Sequence, residues 1–437
     1  MSQAIAARGL PSRRSRRGRT SRRGRAATAS VEYSLLLTAT LCLLAFGAVM
    51  VFSASSTTSL LGESGDGAYY LKRTLLFGAL GLVAMRALSV HGLRAARAMT
   101  PALLVISFVL LLAVMVPGVG SSANGAQRWI VAGPIQVQPS ELAKVALILY
   151  GAHLIAARPG IVRNVRTLVP YLGVVATAAM LIMVEPDLGT ALVVCFSVAA
   201  LLLAGGVKLR HLVLIAAALA FVALIAALIE PYRRERLVGF LHPGSDVSGS
   251  GFQGMQAAIA LGSGGIFGVG LGESVQKAFY LPEAHTDMIA AVIGEELGLI
   301  GITVLVGLFA MFGYAGFRTA QRARDRYAKL LAAGLTSLVL VQAVINLFAA
   351  MGLAPLTGVP LPFVSYGNSN LLVMLAAVGL LLNVARGGTA KLRVVDGGRS
   401  KASKTRSSRS GGKSRDSGRG HRRARSAGAR GRRRAAR

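Results

Sequence analysis

The sequence predicts an all-α polytopic membrane protein with about ten transmembrane helices. Both termini are expected in the cytoplasm, with one long extracytoplasmic loop and disordered basic tails. Three observations lead there. The 437 residues are 53% hydrophobic and 15% charged, with a mean hydropathy of +0.58, whereas a soluble domain carries about 25% charged residues. The apolar residues come in long runs, close to the ~20 residues a helix needs to cross ~30 Å of hydrocarbon. Charge is kept apart from them: of 49 Lys+Arg and 17 Asp+Glu, nine basic residues and one acid fall in 1–33, and nineteen and two in 386–437. This composition excludes a soluble enzyme, a collagen or coiled coil and, with two Cys, a disulfide-built secreted domain.

The apolar runs lie near 34–53, 74–90, 101–117, 139–157, 168–185, 187–205, 211–230, 287–317, 330–353 and 369–386. Gly and Ala recur in them, which suits close helix packing in lipid. The eighth is long enough to tilt or to extend past the bilayer. Numbering the gaps alternately from the N-terminus puts 41 basic residues in the set holding both tails, counting Arg86 and Arg386, and 7 in the other. The positive-inside rule assigns the first set to the cytoplasm. Thirteen of the acids fall on the opposite side, so the working surface is expected to face outward. The domain reading is a basic tail over 1–33, a membrane domain over 34–386 with its large outer loop at about 231–286, and a second basic tail over 387–437.

The tails hold no Phe, Trp or Tyr between 1 and 32 or between 386 and 437. They cannot build a core and suit attraction to anionic inner-leaflet lipids. Nucleic acid is not expected as a partner, since stacking residues and a recognition motif are both missing. Cys42 and Cys195 sit singly in apolar spans, without metal-ligand spacing, and read as packing residues.

Ionisable residues within spans are costly and point to function. Four outer stretches concentrate them. The first runs from Asn124-Gly125-Ala126-Gln127-Arg128-Trp129-Ile130 to Gln138-Pro139-Ser140-Glu141-Leu142-Ala143-Lys144. Pro139 suits a first helical turn, and Glu141 and Lys144 share a helix face. They read either as a pair that pins the helix or as a buried cation facing a phosphate. The second, Glu185-Pro186-Asp187-Leu188-Gly189-Thr190, is a two-residue turn at a helix start, explained as well by capping as by chemistry.

The third is the long outer loop, with Arg233, Arg234 and Arg236 at its start and a Gly-rich run over 262–272. That run lacks the Lys-Ser/Thr of a nucleotide loop and reads as tight, membrane-skirting backbone. The Arg cluster suits a polyprenyl pyrophosphate headgroup, planar guanidinium forks matching phosphate; a solvated charge run is the alternative. The loop ends Leu281-Pro282-Glu283-Ala284-His285-Thr286-Asp287. Asp287, placed at the mouth of the eighth span, reads either as a helix cap or as a carboxylate that takes a proton from a hydroxyl. Glu295 and Glu296 follow deeper, off its helix face, where they invite pairing with cations from other helices. The fourth stretch, Pro360 to Asn370, holds Ser365 and Tyr366 and opens the last span. It offers a polar patch for an anion or a sugar, or a re-entrant structural loop.

In order, these stretches (NGAxRWI, QPSELAK, EPDLGT, LPEAHTD, GEELG and LPFVSYG) resemble the SEDS family of ten-span peptidoglycan polymerases. The likeness runs from about Val49 to Asn370, and the Ser53-Ala54-Ser55-Ser56 run and the basic tails are more similar to the FtsW branch than to RodA. The resemblance implies a glycosyltransferase that uses lipid II and extends glycan strands on the outer face of the cytoplasmic membrane. It places the essential loop aspartate on Asp287, the lysine of the fourth span on Lys144 and the deep acid of the eighth span on Glu295 or Glu296. Where the family reads SYGGSS, this chain has Asn368 and Asn370. The implied partners are lipid II, the nascent strand, a class B penicillin-binding protein and other divisome proteins, and the implied place is the division septum. In this reading Asp287 deprotonates an acceptor hydroxyl, and Arg128, Lys144 or the Arg233/Arg234/Arg236 cluster stabilises the leaving diphosphate, with or without a divalent cation. Two rivals are a flippase for the same lipid and a non-catalytic division scaffold. The flippase lacks support from an inverted repeat.

Overall fold

The structure is a computed structural model describing residues 14–61, 65–123, 126–133, 135–217, 239–240, 251–278 and 280–387. The C-terminal tail, Arg233, Arg234 and Arg236, and most of the seventh predicted span lie outside the described residues.

Nine helices over these residues carry the fold: α1 (Arg14–Leu61), α2 (Tyr69–Val114), α3 (Pro139–Ala157), α4 (Val165–Val184), α5 (Leu188–Gly205), α6 (Phe252–Gly264), α7 (Ile289–Arg322), α8 (Arg326–Ala350) and α9 (Asn368–Ala385). Eight of them are long and apolar enough to cross a membrane, α6 being the exception. Helical residues 209–217 open the seventh predicted span. The first helix spans Arg14–Leu61, and its Val31–Leu61 part is long and apolar enough to cross a membrane.

Two predicted spans prove to be one interrupted element. The 46 residues of α2 would reach about 69 Å as a straight helix, more than twice the hydrocarbon thickness. Gly92, at φ 84° and ψ 172°, breaks it; a residue with a Cβ would strain there. The arm before the break runs parallel to α9: Gly78 meets Leu371, Gly81 meets Leu375, Met85 meets Gly379, and the Asn383 amide donates to the Ser89 carbonyl at 2.9 Å.

The chain is not purely helical. Gly120–Ala123, Ala126–Ala132 and Ile135–Val137 form a three-stranded antiparallel sheet, β1-β2-β3, between α2 and α3. Trp129, Ile130, Val131, Ile135 and Val137 are strand formers, and their clustering outweighs the helical character of the flanking spans.

Contacts sort the termini of the elements into two ends. At one end Arg322 of α7 pairs with Glu32 of α1, Arg97 of α2 with Asp325 before α8 at 3.2 Å, and Arg386 after α9 donates to the Tyr33 hydroxyl at 2.7 Å. The sheet, the α4–α5 turn and the segments before α7 and α9 gather at the other. A buried apolar core fills the bundle between them.

Candidate active site

The long α7 is itself broken. Gly298 has φ 63° and ψ −159°, and a Cβ there would stand 2.4 Å from the Gly268 nitrogen. A break within a buried helix frees backbone groups that need partners. The Gly-rich run supplies them. The Val269 and Gly270 amides donate to the Glu295 and Glu296 carbonyls at 2.9 and 3.1 Å, and the Gly265 and Ile266 carbonyls accept from Leu299 and Ile300 at 3.0 and 3.3 Å. Residues 265–270, expected from the sequence to be tight, membrane-skirting backbone, fill the helix break.

The two acids beside the break face this loop and are at most 2% exposed. Glu295 accepts from the Ser274 hydroxyl at 2.5 Å and from the Val275 amide at 3.0 Å. Glu296 accepts from the Ser53 hydroxyl of α1 at 2.7 Å and pairs with Lys277 at 2.8 Å. The ammonium of Lys277 also donates to the Gly272 carbonyl at 2.7 Å. The sequence suggested pairing with cations from other helices; Glu296 does pair with a cation, but Lys277 lies in the segment between the Gly-rich run and α7 rather than on a helix. Lys277 lies in the long outer loop between the Gly-rich run and Leu281–Asp287, outside both stretches singled out there; a lone lysine beside a Gly-rich run and ahead of two adjacent acids was the available signal.

Asp287 lies outside the helix. The cap of α7 is Met288, and the Glu283 carbonyl accepts from the Thr286 and Met288 amides at 3.1 and 3.3 Å. That turn keeps residues 283–288 from joining the helix, so Asp287 is neither the cap nor in helical register with Glu295 and Glu296. Its side chain is half-buried, and the Thr286 hydroxyl donates to it at 3.4 Å. Two backbone bonds fix the turn. The His285 carbonyl accepts from the Tyr366 amide at 2.9 Å, and the Asp287 carbonyl from the Asn346 side chain at 2.7 Å. Rings reinforce it: His285 packs on Tyr70 of α2 with centroids 4.3 Å apart, and Tyr70 meets Tyr366 edge-on at 4.8 Å. Burial pushes the His285 imidazole below its ordinary value against the pull of Glu283. Burial also raises the Tyr366 phenol, while Asn368 and Arg73 act the other way. Arg73, which donates to the Tyr69 hydroxyl at 2.9 Å, is thus a cation beside the Asp287 turn that the motifs did not mark.

The predicted Glu141–Lys144 pair forms, at 2.9 Å, with Lys144 1% exposed. Lys144 also donates to Gln342 of α8 at 2.8 Å, and Glu141 accepts from Asn370 of α9 at 2.8 Å. Gln342 and Asn346 stand four residues apart on one face of α8. The first donates to the Pro360 carbonyl at 2.9 Å and the second to the Val359 carbonyl at 2.8 Å. Lys144 and Asp287 are therefore bridged to adjacent turns of the same helix. Ser365 accepts from the Leu361 amide at 2.8 Å and closes the local turn.

A third cluster completes this end. Arg128 of β2 donates to the Glu185 carbonyl at 3.0 Å and to the Pro186 carbonyl. Asp187 caps α5 through the Thr190 amide at 3.0 Å and accepts from Gln138 at 3.1 Å. Ser369 of α9 bonds both the Gln136 carbonyl and the Gln138 amide. Neither carboxylate oxygen of Glu185 has a hydrogen-bond partner among the described residues. Burial, and then Asp187, push the Glu185 carboxyl up to about 8, against Arg128. Among the described residues no three His, Cys, Asp or Glu side chains gather to hold a metal ion.

A helical membrane bundle with a polar, carboxylate-bearing end is thus the class that fold and site define. The family model for FtsW/RodA/SpoVE cell cycle proteins matches residues 33–389, and the chain belongs to that family. It is 41% identical to stage V sporulation protein E of Bacillus subtilis, over 80% of this chain and 96% of that protein. It is 44% identical to the probable peptidoglycan glycosyltransferase FtsW of Thioalkalivibrio sulfidiphilus, over 79% and 87%. Among solved structures it is similar to a component of a peptidoglycan synthase complex that coordinates polymerization and crosslinking, at TM-score 0.67 and 31% identity over 81% of this chain and 98% of that one. It is also similar to the rod shape determining protein RodA of Thermus thermophilus, at TM-score 0.59 and 29% identity over 80% and 95%.

Proposed function

We propose that this chain is a peptidoglycan glycosyltransferase that polymerises lipid II into glycan strands on the outer face of the cytoplasmic membrane. The reading includes septal wall synthesis alongside a class B penicillin-binding protein and other division proteins, with the basic tails resting on anionic lipid. It is supported by the family, by the names of the relatives and by one observation above all. At the end of the bundle away from the Arg322–Glu32 and Arg97–Asp325 pairs, a half-buried aspartate is held in a fixed turn beside cationic and aromatic groups.

In this mechanism the Asp287 carboxylate accepts the proton of an acceptor sugar hydroxyl as that oxygen attacks the anomeric carbon of the lipid-linked donor. The carbon–oxygen bond to the diphosphate breaks with inversion, and the polyprenyl diphosphate leaves with its charge. Cations offset that charge. Arg73 and Arg128 lie at this end, and the Arg233/Arg234/Arg236 cluster follows in the outer loop. Lys144, held by Glu141 and Gln342, acts first as a fixed positive charge below the site and binds diphosphate directly only if that pair opens.

The test is the purified full-length chain in detergent with lipid II. The reading expects glycan polymer without a second polymerase. Translocation of lipid II across vesicles with no polymer formed would replace it with the flippase reading.

A further inference from the structure

We infer that Asn346 is a positioning residue for Asp287, acting through the aspartate's own backbone carbonyl; the inference rests on the proposed polymerase reading.

Asn346 sits on α8, 1% exposed, one turn before the helix ends at Ala350. Its amide nitrogen donates twice, to the Asp287 carbonyl at 2.7 Å and to the Val359 carbonyl at 2.8 Å. Both partners are pure acceptors, so the side chain has one admissible orientation: nitrogen toward the carbonyls, oxygen away. One buried group thus ties three pieces of chain together, the turn carrying the aspartate, the segment leading to Tyr366 and α9, and the helix that also holds Lys144 through Gln342. A carboxylate that works as a base needs its oxygens placed within a few tenths of an ångström, and misplacement by about 1 Å costs about a hundredfold in rate. The Tyr366 amide and the His285–Tyr70 ring contact act at residue 285, and the Glu283 carbonyl holds the amides of 286 and 288. The Asn346 bond acts on residue 287 itself. Nothing in the sequence motifs singles Asn346 out, because it is uncharged and lies inside an apolar span.

The experiment uses the full-length protein with lipid II, measuring kcat and KM for Asn346→Asp and Asn346→Leu, with thermal unfolding in detergent to confirm the fold. Asn346→Asp keeps nearly the volume of asparagine, and Asn346→Leu keeps its heavy-atom count and branching but is bulkier, which the unfolding measurement controls for. Asn346→Asp replaces the donor with acceptors, and Asn346→Leu removes it. A positioning role through donation expects kcat to fall about tenfold to a hundredfold in both, with KM for the lipid donor changing less than about threefold. If either folded variant keeps kcat within about twofold of the parent, or if the loss falls on KM alone, the side chain is only packing and the inference fails. Asp287→Asn in the same assay separates the two levels. Polymer made at the parental rate by that variant rejects the base assignment, whereas loss there with normal Asn346 variants rejects this inference alone.

Discussion

Two acidic regions lie eight residues apart in the chain and differ in how they are held. Glu295 and Glu296 are buried within the broken helix, and their side-chain oxygens are taken by Ser274, Val275, Ser53 and Lys277. Asp287 is half-buried, and the bonds that fix its turn run through backbone carbonyls at 285 and 287. The lesson is a division of labour. Acids whose own oxygens are fully engaged in the membrane interior hold segments together, since a buried charge persists only when paired. Asp287, half-buried, has its turn fixed through main-chain groups in addition to its side-chain bond from Thr286.

The strongest way to break this contrast is to remove one partner of the buried pair. Lys277→Met leaves Glu296 uncompensated and is expected to cost about 3–5 kcal/mol of stability. Detergent thermal unfolding should show the loss, and adding Glu296→Gln should restore much of it. A Lys277→Met protein as stable as the parent would mean that the pair does not hold the loop. A smaller effect is expected at the helix break. Gly268 has φ 83°, and a Cβ there would stand 2.1 Å from the Glu296 carbonyl oxygen. Gly268→Ala is expected to cost about 1–3 kcal/mol, measured by the same unfolding.

A pH-dependent prediction sharpens the third cluster. The Glu185 carboxyl moves from an ordinary 4.5 to about 8 on folding. A raised value means that the folded chain holds a proton the unfolded chain has released, so Glu185 lowers stability progressively as pH rises from about 4.5 to about 8 and adds no penalty below that window. Glu185→Gln should therefore raise the unfolding temperature most at pH 8 and above and little near pH 4.5. A gain independent of pH would contradict the buried, protonated state.

Much of this arrangement could be read from the sequence, and the parts that could share a reason. Apolar run length marks the spans, Pro139 falls in the first turn of α3, Lys144 meets Glu141 three residues away, and Asp187 caps α5. Each is a local pattern set by helix geometry. What the sequence hides is long-range or lies in the backbone. The Lys277–Glu296 pair joins a Gly-rich loop to a helix, and the filling of the Gly298 break consists of main-chain bonds that no side-chain pattern reports. The strands at 120–137 are short enough to pass as loop. The turn that takes Asp287 out of α7 depends on the Glu283 carbonyl, so counting helical faces from residue 287 misleads. Asn346 escapes because an uncharged amide in an apolar run attracts no notice until its partners are seen.

The central claim is that Asp287 performs chemistry without holding the fold. The most direct measurement takes purified Asp287→Asn beside the parent, recording thermal unfolding and lipid II polymerisation on the same preparation. The account predicts an unfolding temperature within about 2 °C of the parent, as for a near-isosteric substitution at a half-buried position, and polymerisation lowered about 100-fold to 10,000-fold. A variant that unfolds markedly earlier, or one that polymerises at a near-normal rate, would contradict it.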